Sequence, residues 1–350
     1  MRFENPVIIG GGPAGSSAAI MLARGGAKPL ILERQREIGD ALCGGFMSWH
    51  TLKSLSRLGV DPGGHPIDRV RVFAGKRHAE ARLPAGAIGL SRHRLDTMLR
   101  DQAQATGAGL EIVTIKNADE VDADSVFLAT GKHDLRGLAR PKFETADSTL
   151  GLRVKIGPHP TLTALIGSSI ELHLFDRGYV GLLLQEDGRA NLCLAVRKSR
   201  LAEAGGKPET LLRQLGDTIP ALGERLAFLD ALPDADAIAS VPYGWRATET
   251  LPGIFRLGDQ AAVIPSIAGE GNGIAIASGI AAAAAWATGG AAAAPAYQRD
   301  FARRTRRPVL LAKWLWERGE TPWTAALATR VLPVAPFIAR SFARATRIGD

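Results

Sequence analysis

The residues best equipped for chemistry stand near the front of the 350-residue chain. Val7-Ile8-Ile9 runs straight into Gly10-Gly11-Gly12-Pro13-Ala14-Gly15, a G-x-G-x-x-G turn between an apolar strand and an alanine-rich helix. In that pattern Gly10 permits the tight turn, Gly12 lets the backbone approach a pyrophosphate, and Gly15 allows close helix–strand packing. Pro13 and Ala14 open a helix whose free N–H groups and positive dipole end favour phosphate. Glu33 closes the next strand, where a carboxylate accepts hydrogen bonds from a ribose. Arg34, beside it, is assigned to the same cofactor contact.

A second set lies more than 200 residues downstream. Gly258-Asp259 follows the strand Gly253–Leu257, and Gly269-Glu270-Gly271-Asn272-Gly273 leads into a long alanine-rich helix. That gives a second helix N-terminus, suited to negative charge on a ring carbonyl or on a reduced flavin. Two such anion sites so far apart suit an extended dinucleotide better than a mononucleotide. Between them stands Gly39-Asp40-Ala41-Leu42-Cys43-Gly44-Gly45, with one of only two cysteines in the chain. The glycines permit close backbone approach to a ligand, so cofactor contact is the firmer expectation for Cys43, Gly44 and Gly45 and thiol catalysis the weaker. Cys193, in the apolar run Asn191–Val196, reads as a small core residue. Tyr243 and Trp245, just ahead of the Gly-Asp strand, are candidates to line a substrate pocket. No metal site is read.

The elements that must position these groups follow from periodicity. Strand, helix and strand over residues 6–33 make a parallel β-α-β unit. Further strands of that sheet are expected at 110–115 and 125–129, with helices at 51–58 and 94–106. Alternating apolar runs at 149–156, 169–175, 178–184 and 189–196 predict an antiparallel meander, and 207–230 reads as helical. The fold class expected is α/β with an inserted antiparallel sheet. A Rossmann-like cofactor part comprises 1–75, 93–150 and 251–300, a substrate part 76–92 and 151–250, and a C-terminal helical region 301–350.

The order of Gly10–Gly15 with Glu33, Arg92-x-x-x-Asp96, Ala129-Thr130-Gly131 and Gly258-Asp259 through Gly273 resembles the flavoprotein superfamily of para-hydroxybenzoate hydroxylase and the geranylgeranyl reductases. Cys43-Gly44-Gly45 is most similar to the reductase branch. The resemblance implies FAD held non-covalently, with Arg92, Thr130, Gly131, Asp259, Gly271, Asn272 and Gly273 among its contacts. It also implies a flavin ring lying between the two parts. Where that branch often has Tyr-x-Trp-x-Phe-Pro, this chain reads Tyr179-Val180-Gly181-Leu182. Tyr179 is kept, but Gly181 replaces an aromatic wall and implies a differently shaped substrate pocket. A second glycine fingerprint for NAD(P)H is missing, which leaves transient contact with that donor open.

Two reactions fit these residues. Reduced FAD could deliver hydride to an alkene, with Cys43 or Tyr179 supplying the proton. Alternatively it could meet oxygen, and a flavin hydroperoxide would hydroxylate an aromatic or polyketide substrate in a shielded pocket. The reductase reading, on a prenyl or other apolar molecule, is slightly favoured. A flavin-binding protein without turnover is the third expectation.

Composition bounds the rest. A hydrophobic share of 46% and a charged share of 22% are those of a globular chain. Two cysteines leave no disulfide framework, and the N-terminus shows no secretory pattern, so a cytoplasmic protein is expected. The formal charge of +8 comes almost wholly from Ala302–Asp350, without a nucleic-acid-binding signature. Nucleic acid is therefore not expected as a partner. The tail mixes arginine with Trp314, Trp316, Trp323, Phe337 and Phe342, and Pro333 and Pro336 interrupt its apolar stretch. Such a tail suits either a helical cap or peripheral contact with a membrane.

Overall fold

The computed structural model describes residues 2–141, 147–229, 236–239 and 241–348. Strand β1 (Arg2–Phe3) is followed by β2 (Val7–Ile9), α1 (Pro13–Arg24), β3 (Leu30–Glu33), β4 (Phe46–Met47) and α2 (Trp49–Arg57). Next come β5 (His65–Ala74), β6 (Arg77–Gly89), α3 (Arg92–Ala105), β7 (Gly109–Ile112), β8 (Asp122–Ala123) and β9 (Val126–Leu128). Strand β10 (Thr149–Ile156), α4 (Pro160–Ile166), β11 (Ser169–Phe175), β12 (Gly178–Leu184) and β13 (Ala190–Arg197) make up the middle. Helices α5 (Lys198–Glu203), α6 (Pro208–Thr218) and α7 (Pro220–Leu226) lead to β14 (Asp236–Ala239) and β15 (Ile254–Arg256). The chain ends in α8 (Gly271–Gly289), α9 (Ala294–Gly319), α10 (Pro322–Val334) and α11 (Pro336–Ala345).

Five strands form a parallel sheet in the order β15-β9-β2-β3-β7. Its central strand, Val7-Ile8-Ile9, is wholly buried, as a parallel strand covered on both faces must be. Helix α1 is built from small residues, and α8 lies close against it. A Cβ added at Gly279 would stand 2.4 Å from the Ala14 carbonyl oxygen. The helical run Gly271–Gly319 includes a stretch long and apolar enough to cross a bilayer. In α8, however, Ile274, Ile276, Ile280 and Ala282 are buried in the core, so it is a core helix.

The second sheet has eight strands in the order β14-β10-β13-β12-β11-β5-β6-β4. The expected meander is present as antiparallel β11-β12-β13-β10. Strand β5 pairs parallel with β11 and antiparallel with β6, which corrects the assignment of residues 1–75 to the cofactor part. Arg69 and Arg71 disguise β5 in the sequence, because their guanidinium groups lie along Glu80 and Asp68 instead of marking a loop. The boundary at 300/301 is also corrected: it falls inside the continuous helix α9.

One buried ionic cluster carries a pH dependence. Glu171 and His173 on β11 have no exposed surface. Arg225 donates twice to Glu171, at 3.1 and 3.0 Å, and His173 stacks on Phe73 with ring centroids 4.5 Å apart. Burial pushes the Glu171 carboxyl up, but His173 and the Arg225 guanidinium outweigh this and hold it below its usual range. Burial pushes the His173 imidazole down, against the pull of Glu171. The unfolded chain therefore takes up a proton at His173 first, and stability falls as pH drops through the ordinary imidazole value of about 6.5. The loss from Glu171 begins only below the ordinary carboxyl value. His173→Gln is expected to flatten the decline in denaturant midpoint between about pH 7 and 5, and an unchanged slope would contradict it.

Candidate active site

The glycine turn is stereochemically tight. Gly10 has φ +106°, and a Cβ there would lie 2.5 Å from the Ala129 carbonyl oxygen. At Gly15 a Cβ would lie 1.9 Å from the Gly10 carbonyl oxygen, so α1 can approach β2 only without a side chain. Gly12 is different: a Cβ would meet only Arg92 Nη2, at 3.7 Å. Glu33 Oε2 accepts from the Gly11 amide at 2.7 Å and lies 3.7 Å from Arg100 Nη2. The carboxylate thereby ties the end of β3 to the turn.

Gly12, Pro13, Ala14, Gly131, Asp259, Gly271 and Asn272, from well-separated parts of the chain, line one cavity of about 720 Å³. The N-termini of α1 and α8 both reach it, and neither carries a side-chain cap, which leaves backbone donors for a ligand. A Cβ at Gly131 or Gly271 would meet nothing within 4 Å. Arg92 reaches the same wall and gives two 2.8 Å hydrogen bonds to Asp96. Burial opposes its charge, but Asp96 more than compensates and holds the guanidinium pKa above its usual value. Two uncapped helix ends, open glycines and a fixed cation fit a pyrophosphate-linked flavin cofactor.

Gly10, Gly15, Glu33, Arg34, Thr130 and Gly273 are not among the residues that line the cavity. Arg34 Nη2 lies 2.9 Å from His133 Nε2, and Thr130 Oγ1 donates to the His133 carbonyl at 2.6 Å. A Cβ at Gly273 would strike the Glu270 carboxylate at 2.4 Å. Trp245 is corrected as a pocket residue: it is not among the cavity-lining residues and lies under the Arg140 guanidinium, 5.8 Å from its ring centroid.

The Cys43 loop is held from both sides. Arg153 on β10 donates to the Ala41 carbonyl at 2.9 Å, and Lys155 pairs with the Asp40 carboxylate. Burial pushes Asp40 up, but Lys155 and Arg153 hold it below its usual range. Asn191 Nδ2 and Cys193 Sγ both donate to the Cys43 carbonyl at 3.0 Å. Gly45 has φ +77°, and a Cβ would meet Gln185 Nε2 at 2.9 Å, whereas Gly44 faces open space. The Cys43 thiol lines the cavity and accepts from Asn272 Nδ2 at 3.3 Å and from the Gly45 amide at 3.4 Å. Cys193 is also corrected: it is half-buried and faces the cavity instead of the core. Burial pushes its thiol up to about 12. The signal was the period of two along β13, where Leu192 and Leu194 face the core and Cys193 the opposite side.

Beyond Cys43 the wall is apolar, formed by Val70, Val72, Leu172 and Leu174 of the large sheet and by side chains of α9–α11. Tyr179 and Gly181 on β12 line it, as does Tyr243. A Cβ at Gly181 would make ordinary contacts of 3.6–4.0 Å with Tyr179, Cys193 and Leu172. Tyr179 donates to Ser266 Oγ at 2.8 Å, and Tyr243 Oη lies 2.8 Å from the same oxygen. Burial pushes Tyr243 up to about 12 and Tyr179 well above its ordinary value, so both phenols keep their protons. Ser266 has no distinctive spacing in the sequence. Its role appears only where Tyr179, from β12, and Tyr243 meet at its hydroxyl.

Comparison with known proteins agrees with this geometry. Residues 5–136 match the family model described as an FAD binding domain. Digeranylgeranylglycerophospholipid reductase 2 of Methanopyrus kandleri is 29% identical over 301 residues, covering 77% of this chain and 73% of the relative. A flavin-dependent brominase superposes with TM-score 0.77 at 17% identity, over 99% of this chain and 94% of that one. A geranylgeranyl bacteriochlorophyll reductase-like protein from Thermoplasma acidophilum gives 0.68 at 20% identity, over 100% and 94%. The match over residues 5–136 and the cavity define a flavoprotein whose FAD-binding domain stands beside a second, mixed sheet. It is an FAD-dependent oxidoreductase, similar in sequence to the Methanopyrus reductase and in fold to the flavin-dependent brominase.

Proposed function

We propose that the protein reduces a carbon–carbon double bond in an apolar, prenyl-like molecule. The observation that carries this reading is the cavity. It runs from two uncapped helix ends past the Cys43 thiol into a space walled by aliphatic and aromatic side chains. The relative from Methanopyrus kandleri, a digeranylgeranylglycerophospholipid reductase by name, supports the same substrate class. FAD would be held non-covalently by the N-termini of α1 and α8, with Arg92 at the cavity wall and Glu33 fixing the turn behind it. NAD(P)H is the proposed electron donor.

When bound and reduced, FAD would supply hydride-transfer chemistry to one alkene carbon. Cys43 Sγ gives its proton to the other carbon, so the bond gains two electrons and two hydrogens. The Gly45 amide and Asn272 Nδ2 already point at the sulfur and remain as donors after the proton leaves. Tyr179, Ser266 and Tyr243 form a polar patch in the apolar wall and orient the substrate's head end. The tail helices exclude water.

Cys43→Ala is expected to retain FAD while losing about 100-fold in turnover, within the usual range for removing a general acid. Cys43→Ser should recover part of it. Full turnover in the alanine variant would remove Cys43 from the mechanism. Product mass tests the reaction itself: gain of two hydrogens per double bond is expected, and gain of an oxygen atom would favour hydroxylation.

A further inference from the structure

Eight large hydrophobic side chains are exposed among the described residues, and six of them lie between Leu310 and Phe337. Singly scattered apolar residues need no explanation, but a concentrated set does. Trp323 is 72% exposed, Val334 82% and Phe337 66%. They sit on consecutive helices, α10 and α11, which meet at Ala335.

The same surface is cationic. On α9, Arg303, Arg306, Arg307, Leu310 and Trp314 recur at helical spacing and are all exposed, so they share one face. Arg303, Arg306, Arg307 and Leu310 border a single surface depression. Arg303 is paired with Asp300, but among the described residues Arg306 and Arg307 have no carboxylate partner. Trp314 stacks on Phe342 of α11 at 5.9 Å between centroids, and Arg318 lies over it at 5.9 Å. On α11, Arg340 and Arg344 follow Phe337 at helical spacing and are exposed. Acidic groups on this side are few: Asp300, already paired, and Glu317, which lies 3.8 Å from Lys313.

We infer that the exposed face of α9–α11 docks on an anionic lipid bilayer. Arginines would meet headgroup phosphates while Trp323, Val334 and Phe337 enter the boundary with the acyl chains. Charge complementarity selects this occupant over a neutral apolar partner. Trp314, Trp323 and Leu327 both line the cavity and are exposed, so the cavity's outer end lies on the docking face. An apolar molecule could pass from the bilayer without crossing water. The docking does not depend on which reaction the flavin performs.

The test is sedimentation of the full-length holoprotein with vesicles, read without substrate. Binding to equimolar phosphatidylglycerol and phosphatidylcholine is expected, with at least about tenfold weaker binding to phosphatidylcholine alone and in high salt. The triple variant Arg303→Glu, Arg306→Glu, Arg307→Glu and the double variant Val334→Glu, Phe337→Glu should each lose at least about tenfold with FAD content unchanged. Truncation is a poor substitute, because α10 and α11 wall the cavity. Absence of vesicle binding by the unaltered protein would overturn the inference, as would equal binding by both variants. If the face instead joined two copies of the chain, the double variant would shift a dimer to a monomer in light scattering with no vesicle binding, which also overturns it.

Discussion

Gly15→Ala is expected to yield protein without FAD and with a markedly lowered melting temperature. The added Cβ would lie 1.9 Å from the Gly10 carbonyl oxygen, closer than any non-bonded contact allows. That atom is backbone, so a side-chain rotation cannot relieve the clash. Helix α1 must move away from β2, opening its contact with α8. Overpacking of this kind costs about 3 kcal/mol or more. Gly12→Ala is the informative control, since its Cβ would meet only Arg92 Nη2 at 3.7 Å. It should fold normally yet bind FAD weakly, because it obstructs only the ligand's approach. Flavin absorbance and thermal melts of the two variants separate folding from cofactor contact. If Gly15→Ala kept both FAD and stability, the account of the turn given above would be wrong.

The second large effect is expected at the opposite end of the described chain. Arg347 Nη1 pairs with the Glu270 carboxylate and donates to the Ala268 carbonyl at 2.9 Å. Its guanidinium lies over Phe46 and Trp49, at 5.6 and 5.3 Å from their ring centroids. Ser48 Oγ also donates to Glu270, at 3.0 Å. Both charged side chains are almost wholly buried. Arg347→Ala leaves the Glu270 carboxylate without its counter-charge, which costs roughly 3–5 kcal/mol and should lower the melting temperature by roughly 5–10 °C. FAD should also be lost more readily, because Glu270 precedes Gly271 and Asn272 in the cofactor wall. The double variant Glu270→Gln, Arg347→Met should recover much of the stability, since no isolated charge remains. A melting temperature unchanged in Arg347→Ala would show that the pair does not fasten α11 to the cofactor part.

The contrast between these two sites shows what could be read from sequence. The Gly10–Gly15 turn and Glu33 belong to one β-α-β unit, where residue type, spacing and local geometry point the same way. Asp259, Gly271 and Asn272, which line the cavity, stand in a second strand–turn–helix that repeats that logic, whereas Gly273 does not line it. Arg347 carries no such local sign. Its partner is 77 residues away, and the contact exists only once three helices have packed. Strand β5 was hidden because its half-buried arginines look like loop residues until Glu80 is set beside them. Cys193 was misread because apolar neighbours suggested a core strand, whereas the faces of β13 are set by what covers each of them. Trp245 was a pocket candidate, like Tyr243, because both stand just ahead of the Gly-Asp strand, but only the tyrosine lines the cavity. The alternation in residues 149–196 identified antiparallel strands, but nothing local revealed the parallel pairing of β11 with β5.

The order of the parallel sheet has a consequence for synthesis of the chain. Strand β9 pairs with β2 on one side and β15 on the other, yet more than 120 residues separate β9 from β15. At translation rates of about 5–20 residues per second, the outer edge of β9 stays uncovered for roughly 6–25 seconds. The face of α1 that α8 later covers is exposed for longer still. An unpaired edge of Val126-Phe127-Leu128 beside an alanine-rich helix is a template for unwanted strand pairing. The nascent protein therefore passes through an interval in which the turn after β2 can form but the second anion site, on α8, does not yet exist. Slow elongation or a shortage of holdase chaperones would lengthen that interval and divert chains to aggregates before any flavin could be retained.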